Sequence, residues 1–178
     1  MILTGPEIRA QVTAGAIDID PFDPGQLNPN SYDLHLSTRI GWYTGEILDC
    51  ARDNPFEHHT VPADGMVLSP GRIYLASTAE RVGSDTFVPI IRARSSMARL
   101  GLFVHVTADL IDIGSHGHLT LQLHAVQPVR IYSRLRIAQV TFWQVKGDIE
   151  LYDGKYQGTG EFPMPSRLHR DLPQAAPR

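Results

Sequence analysis

Apolar and polar residues alternate along most of this chain. "SYDLHLSTRIGWY" (residues 31–43) has the period of a half-buried strand. Shorter runs of the same kind follow: "MVLSP", "RIYLAST", "FVPIIRA", "LFVHVTA", "HLTLQLHAV", "VRIY" and "IAQVTFWQV". Gly, Pro or Asp separates most of them, and many short strands at close spacing predict a sandwich, jelly roll or barrel. In "HLTLQLHAV", Leu119, Leu121, Leu123 and Ala125 form an apolar face, with His118, Thr120, Gln122 and His124 opposite. In "LFVHVTA", Leu102, Val104, Val106 and Ala108 share one face, and Phe103, His105 and Thr107 the other. One helix is predicted early. Thr4 and Glu7 have capping-box spacing, Pro6 lies in the first turn, Ile8, Val12 and Ile17 supply apolar positions, and Gly15 is the stop. "IDIDPFDPGQLNPNSYDL" reads as extended chain and turns. From about Asp153 no periodicity is visible, and the end, "PQAAPR", is expected to be disordered.

Composition narrows the class. A chain of 178 residues fits one domain with a real core, and 42% hydrophobic with 20% charged residues is ordinary for a globular protein. A net charge of −3 gives no global field for nucleic acid, so any anion site is local. No apolar run approaches the roughly 18 residues of a membrane span. "MILTGPEIRA" lacks a basic segment leading into an apolar one, so no signal peptide is read and a cytoplasmic location is expected. Cys50 is alone, which excludes an intrachain disulfide framework and a Cys-rich zinc site.

The densest chemistry lies in "RARSSMARLGLFVHVTADLID" (92–112). Ser95 or Ser96 is placed to cap a short helix whose N–H groups attract phosphate, with Arg94 and Arg99 adding charge-assisted bonds. A capped surface turn with solvated arginines is the other reading. Asp112, in a turn with Gly114, suits a sugar hydroxyl or a water, or else stabilises the turn. His116, His118 and His124 share strand parity, but His118 and His124 would lie about 20 Å apart on an extended strand. They are read as polar-face or loop histidines rather than metal ligands.

Over nearly its whole length the sequence resembles the dCTP deaminases of the trimeric dUTPase superfamily. "MILTGPEIRAQVTAGAIDIDPFDPGQLNPNSYDLHLS" is similar to the family's N-terminal helix and strand, "RSSMARLGLFVHVTADLID" to its central signature, and "KYQGTGEFPMPSRLHRD" to its nucleotide-covering C-terminal segment. The resemblance implies an all-β fold, a distorted jelly-roll or β-barrel of the dUTPase-like type with a short N-terminal helix. It implies a β domain over 1–152, a covering segment over 153–178, and a homotrimer with active sites between subunits. It also implies dCTP + H2O → dUTP + NH3, with Mg2+ bound through the nucleotide triphosphate. Arg94, Ser95, Ser96 and Arg99 become the phosphate-side and catalytic-support group, with Ser95 and Arg99 orienting water and polarising the pyrimidine. The backbone of His105, Val106, Thr107 and Ala108 would contact the base, Asp112 the deoxyribose, and Lys155, Tyr156 and Gln157 would fold over the nucleotide. Zinc deaminases carry H-x-E with P-C-x-x-C. This chain has one cysteine, so its deamination would be zinc-independent.

One departure bears on catalysis. Family members carry a glutamate general base in the strand where this chain has Gln122. An amide cannot take and return a proton as a carboxylate does. The chain is a natural member with lost or altered activity, a Glu→Gln variant, or one with another base, His124 being nearest on that face. Asp109 replaces the usual His, Gly or Gln, no Pro follows Asp112, and Ser133-Arg134 replaces a Pro-Gly turn. Two rivals stand beside the deaminase: a phosphohydrolase cleaving dUTP or another nucleotide at the α–β bond with Asp112 handling water, and a non-catalytic nucleotide-binding trimer.

Overall fold

The computed structural model describes residues 1–105 and 108–172. Within them the chain forms α1 (Gly5–Thr13), β1 (Asp18–Asp20), β2 (Tyr32–Tyr43), β3 (Phe56–Thr60), β4 (Met66–Leu68), β5 (Tyr74–Gly83) and β6 (Phe87–Ala93). Then come α2 (Ser95–Arg99), β7 (Leu102–Phe103), β8 (His116–Ala125), β9 (Val129–Ile131) and β10 (Arg136–Gln144). The expected strand-rich fold with few helices is present. The expected disorder of "PQAAPR" concerns positions outside the described residues.

The main sheet runs β6-β10-β2-β5-β8-β7, with β3 added on β2 and β1 on β5, while β4 and β9 form a separate pair. All these pairings are antiparallel. The chain after β7 bridges the two ends of the sheet. Ile91 N donates to Asp109 O (2.9 Å) and Ile111 N to Pro89 O (3.1 Å), so the segment that starts against β8 finishes against β6. The result is a nearly closed barrel, which leaves little strand edge unpaired.

Period-2 alternation explains the core. Tyr32, Leu34, Leu36 and Ile40 of β2 meet Leu121, Leu123 and Ala125 of β8 and Ile137, Val140 and Phe142 of β10 inside the barrel. Each such side chain contributes roughly 1.5–3 kcal/mol on burial. The register slips between Ser77 and Arg81 on β5, and between Leu36 and Ile40 where β2 meets it. Bulges of this kind bend strands and help a sheet curl. Buried Glu80 sits in the β5 irregularity, where its carboxylate accepts from His35 N (2.9 Å) and Gln26 Nε2 (3.1 Å) and lies 2.6 Å from His35 Nδ1.

Several local expectations need correction. β1 and β3 were not foreseen: "DID" sits in a Pro- and Asp-rich stretch, and "FEHHT" has no clean alternation because it is an added outer strand with exposed Glu57 and His58. α1 has Thr4 at its N-cap, but no side chain caps it, and Glu7 instead accepts from Gln11 Nε2 at 2.7 Å. Gly15 does end the helix, in the left-handed region at φ 76°. At the turn into β10, Arg134 holds φ 59° although it is not glycine. A glycine at this position would adopt the same left-handed backbone without the strain of a Cβ.

Candidate active site

The polar face of β8 forms one wall of a cleft of about 1080 Å³. His118, Thr120, Gln122 and His124 line it, with Leu75 of β5, Arg72 and Ile73 of the preceding loop, and Gly45, Glu46 and Leu48 of the loop after β2. The connection from β7 to β8 contributes His105, Ala108 and Asp112, and the C-terminal segment contributes Tyr152, Tyr156, Thr159, Met164 and Ser166. The two faces read from "HLTLQLHAV" separate for most of the strand: Leu121, Leu123 and Ala125 point inward and Gln122 and the histidines into the cleft, while half-buried Leu119 lines the cleft instead of joining the buried leucines. "LFVHVTA" departs from expectation. Strand pairing ends at Phe103, although Val104 O still accepts from Gln122 N at 3.0 Å. Leu102 and Val104 are buried as expected, but Ala108 is exposed, and Val106 and Thr107 lie outside the described residues.

For His105 the resemblance implies a backbone role only, yet its side chain also lines the cleft, as does Gln122. Burial pushes its imidazole down to about 4, against smaller upward pulls from the Asp109 carboxylate and a hydrogen bond with the Gln122 side chain. It is therefore neutral at physiological pH. Its Nδ1 is buried and has no hydrogen-bond partner among the described residues. A signal for this placement existed. The alternation of the strand sets His105 on the face opposite buried Leu102 and Val104, while the β7–β8 register of Leu102 with Ala125 and Phe103 with His124 slips by one beyond Phe103, where Gln122 N donates to Val104 O. His124, the earlier candidate for a substitute base, instead has Nδ1 3.4 Å from Arg72 O, and its ring lies 6.2 Å from that of Phe103.

Asp112 sits at the cleft in the expected turn, where Ser115 N donates to its carbonyl at 3.1 Å. Gly114 is required there: it has φ 86°, and an added Cβ would lie 2.8 Å from Leu151 Cβ and 2.9 Å from Tyr152 N. Asp109 is paired with Arg92 (2.8 Å), which gives that departure a local partner.

The C-terminal segment folds back over the cleft. Met164 N donates to Thr120 Oγ1 (3.3 Å), Ser166 N to Tyr43 Oη (2.6 Å), and Ser77 Oγ to Glu161 O (2.5 Å). Burial raises the Tyr43 phenol, against the opposing effect of the bond from Ser166 N, so its hydroxyl stays protonated. The expected trio divides. Tyr156 lines the cleft, and its hydroxyl accepts from Arg167 N at 2.9 Å. Gln157 acts as a clasp: its Oε1 accepts from His116 N (2.9 Å), and its Nε2 donates to Gly114 O (2.7 Å). Lys155 pairs with Asp171 and lies over the Tyr156 ring.

α2 is held elsewhere. Arg94 Nε lies 3.2 Å from the buried Asp33 carboxylate, which also takes Asn28 Nδ2 (2.9 Å) and has Arg136 at 3.7 Å. This anchor leaves Ser95, Ser96 and Arg99 exposed. The expected serine cap is not formed. Arg94 occupies the N-cap in extended conformation, and its carbonyl accepts from Met97 N and Ala98 N at 3.0 and 3.1 Å, leaving both hydroxyls outward. Arg94, Ser95, Ser96 and Arg99 do not line the cleft that holds Gln122. The three histidines first noted for parity also have separate attachments: His116 Nε2 to Asp85 (2.8 Å), His118 Nδ1 near Thr78 O (3.0 Å), and His124 as above. Among the described residues no three His, Cys, Asp or Glu side chains form a metal-binding group. No described helix is long and apolar enough to cross a membrane.

Known proteins resemble this chain at both levels. A dCTP deaminase of Rhodopirellula baltica is 43% identical over 173 residues, covering 97% of this chain and 86% of that protein. A dUMP-forming dCTP deaminase of Hathewaya histolytica is 42% identical over 174 residues, covering 97% and 99%. In fold, the chain is similar to the crystal structure of 2'-deoxycytidine 5'-triphosphate deaminase from Agrobacterium tumefaciens, with TM-score 0.63 and 22% identity over 79% of this chain and 47% of that one. The model of the dCTP deaminase-like family matches residues 2–145, from before α1 to just past β10. The chain belongs to the dCTP deaminase-like family.

Proposed function

We propose that this protein binds deoxycytidine triphosphate and hydrolyses its C4–N4 bond slowly, as one subunit of a homotrimer. The observation that carries the reading is the separation of α2 from the cleft. One chain presents a deep cleft with Gln122, His105 and Asp112, while its α2 displays Ser95, Ser96 and Arg99 outside that cleft. Among the described residues, Arg72 is the one arginine or lysine that lines the cleft. A triphosphate carries far more charge than one exposed guanidinium neutralises. A second copy's α2, laid across the cleft mouth, supplies arginine and hydroxyl groups for the phosphates and the reacting water. Mg2+ enters with the triphosphate as part of the substrate.

In the hydrolysis, water adds to C4, one of its protons reaches N3, the other reaches N4, and C4–N4 breaks to release NH3. Ser95 and Arg99 of the neighbouring copy would orient the water and polarise the ring, and Asp112 would hold the deoxyribose. The C-terminal segment, carried by Tyr156 and clasped by Gln157, would exclude bulk water. Gln122 holds water or the ring by hydrogen bonds but cannot accept the proton, so turnover is slow. The support for a second reaction is that the Hathewaya relative is named dUMP-forming. There, dUTP + H2O → dUMP + pyrophosphate would follow in the same site. Incubating the protein and Gln122→Glu with dCTP, and measuring ammonia, dUTP, dUMP and pyrophosphate together, tests the reading. Ammonia that rises with Gln122→Glu supports it. Pyrophosphate without ammonia in either protein replaces it with a phosphohydrolase, and binding without either product replaces it with a nucleotide-binding trimer.

A further inference from the structure

The C-terminal segment is attached to the barrel in two different ways. Its first part is held backbone to backbone. Gly158 N donates to His116 O (3.0 Å) and His118 N to Thr159 O (2.8 Å), so residues 158–159 extend the sheet along the edge of β8 that β7 leaves unpaired. Gly117 permits this approach, because an added Cβ would lie 2.7 Å from Thr159 N and O. Beyond it, Thr159 and Met164 line the cleft, and Met164 N reaches Thr120.

The second part is held by side chains, on a row of residues shared by β2 and β3. Arg39 faces Thr60, Gly41 faces His58, and Tyr43 faces Phe56 across the strand pair. Phe162 sits on this row. The Arg39 guanidinium carbon lies 4.6 Å from its ring centroid, and the His58 ring lies 5.4 Å away at 84°. His58 stands edge-on to Phe56 (5.0 Å, 72°), and Phe56 to Tyr43 (5.2 Å, 75°). Arg39 is fixed by its bond to Thr60 Oγ1 (3.1 Å). Gly41 leaves room for the row, since an added Cβ would lie 2.5 Å from the Phe56 ring and from Glu57 O. Bonds from Ser77 to Glu161 and from Ser166 to Tyr43 bracket Phe162 on either side. Phe162 remains 48% exposed, and a hollow of about 410 Å³ lies between Phe56 and His58 on the hairpin and Pro165 on the segment. Cation–π and edge-to-face contacts are individually weak at so open a seat, so this attachment releases more readily than the paired backbone.

Resting on the nucleotide reading of this cleft, we propose that Phe162, seated against Arg39 and His58, is a positioning residue that latches the C-terminal segment and sets how long a bound nucleotide stays. Phe162, Arg39 and His58 do not line the cleft, so the latch acts through Met164 and Ser166, which do. The added strand β3 thereby has a task in ligand retention, and its sequence "FEHHT" supplies the rings of the seat.

The test is stopped-flow displacement on the full-length protein, in which a bound fluorescent α,β-imido analogue of dCTP is chased by the unlabelled analogue. Phe162→Ala is expected to raise the dissociation rate about five- to fiftyfold, the loss of one cation–π and one edge-to-face contact. The melting temperature should stay at the native value, and Phe162→Trp, which keeps an aromatic face, should restore slow dissociation. A dissociation rate that Phe162→Ala leaves unmoved overturns the proposal, and so does a rate that rises only in step with a fall in melting temperature. Should Phe162→Ala not fold, Arg39→Gln removes the cation and keeps the ring, with an expected rise of about two- to fivefold, and no rise overturns the proposal. Trypsin cleavage after Arg167 without nucleotide reads the latch separately: Phe162→Ala should be cut faster than the native protein, and equal rates overturn the proposal. If the native protein binds no triphosphate, the nucleotide reading of the cleft fails and the proposal falls with it. A triphosphate that binds the native protein but leaves Phe162→Ala at the native rate overturns the latch alone.

Discussion

The wall of the cleft and the α2 turn are built on opposite plans. At the cleft, Gln122 stands on β8 and His105 on the chain just beyond β7, and the C-terminal segment of the same chain closes over the cleft. At α2, the rigid part is underneath: Arg94 is tied to buried Asp33, while Ser95, Ser96 and Arg99 project into solvent. One region has a cavity with little positive charge, the other has charge and hydroxyls with no cavity. The difference teaches that one fold can hold a cavity and a charged, hydroxyl-bearing turn apart from each other, which is the arrangement the proposed sharing between copies rests on.

The largest expected effect falls on the cleft. Gln122→Glu should raise ammonia release from dCTP by at least about 10²-fold, the lower end for general acid–base catalysis. A stopped assay with product separation reads this. If the native protein already turns over at about 1 s⁻¹ or faster, Gln122 is not the limit on rate.

A second effect comes from His105. Its folded pKa is about 4, below the ordinary 6.5, so between those values the unfolded chain binds more protons than the folded one. The stability tied to neutral burial is thus fully present above about pH 6.5 and is lost as pH falls toward 4, by up to about 3 kcal/mol. Urea unfolding across this window should show the loss, and His105→Gln should flatten its slope. An unchanged slope would remove His105 from the buried wall.

The α2 turn should respond to ligand rather than to denaturant. Arg99→Ala should weaken triphosphate binding about 10- to 150-fold, from the loss of a charge-assisted bond of about 1.5–3 kcal/mol, with the melting temperature unchanged. Arg94→Ala should lower both, because Asp33 loses a partner while buried. Equal melting temperatures for the two variants would erase the distinction between anchor and display.

Much of this contrast was legible in the sequence. Strict alternation in "HLTLQLHAV" placed Gln122 opposite the leucines before any pairing was known, and "SYDLHLSTRIGWY" marked β2 because one of its faces is buried. β3 escaped notice since an outer strand needs no apolar period. The serine cap was expected from residue type, but the cap position is set by where the backbone turns, and that is Arg94. The side-chain role of His105 depends on how the chain leaves β7 after Phe103 and packs beside β8, which one strand's pattern does not contain. The smallest effect belongs to the β9–β10 turn. Arg134→Gly should stabilise the fold by about 1 kcal/mol by relieving a left-handed residue, and a melting curve with no gain would mean the Arg134 side chain offsets that strain.

The division of the site between copies is tested most directly by mixing two defective proteins. Arg99→Ala and Asp112→Ala are each expected to lose triphosphate binding, one at α2 and the other in the cleft. Dissociated together and reassembled in equal amounts, they should recover about a quarter of the native binding sites. That is the random chance that an intact cleft meets an intact α2 from its neighbour. Recovery near that fraction is the result this account predicts, and no recovery from reassembled trimers would contradict it by placing both halves of the site in one chain.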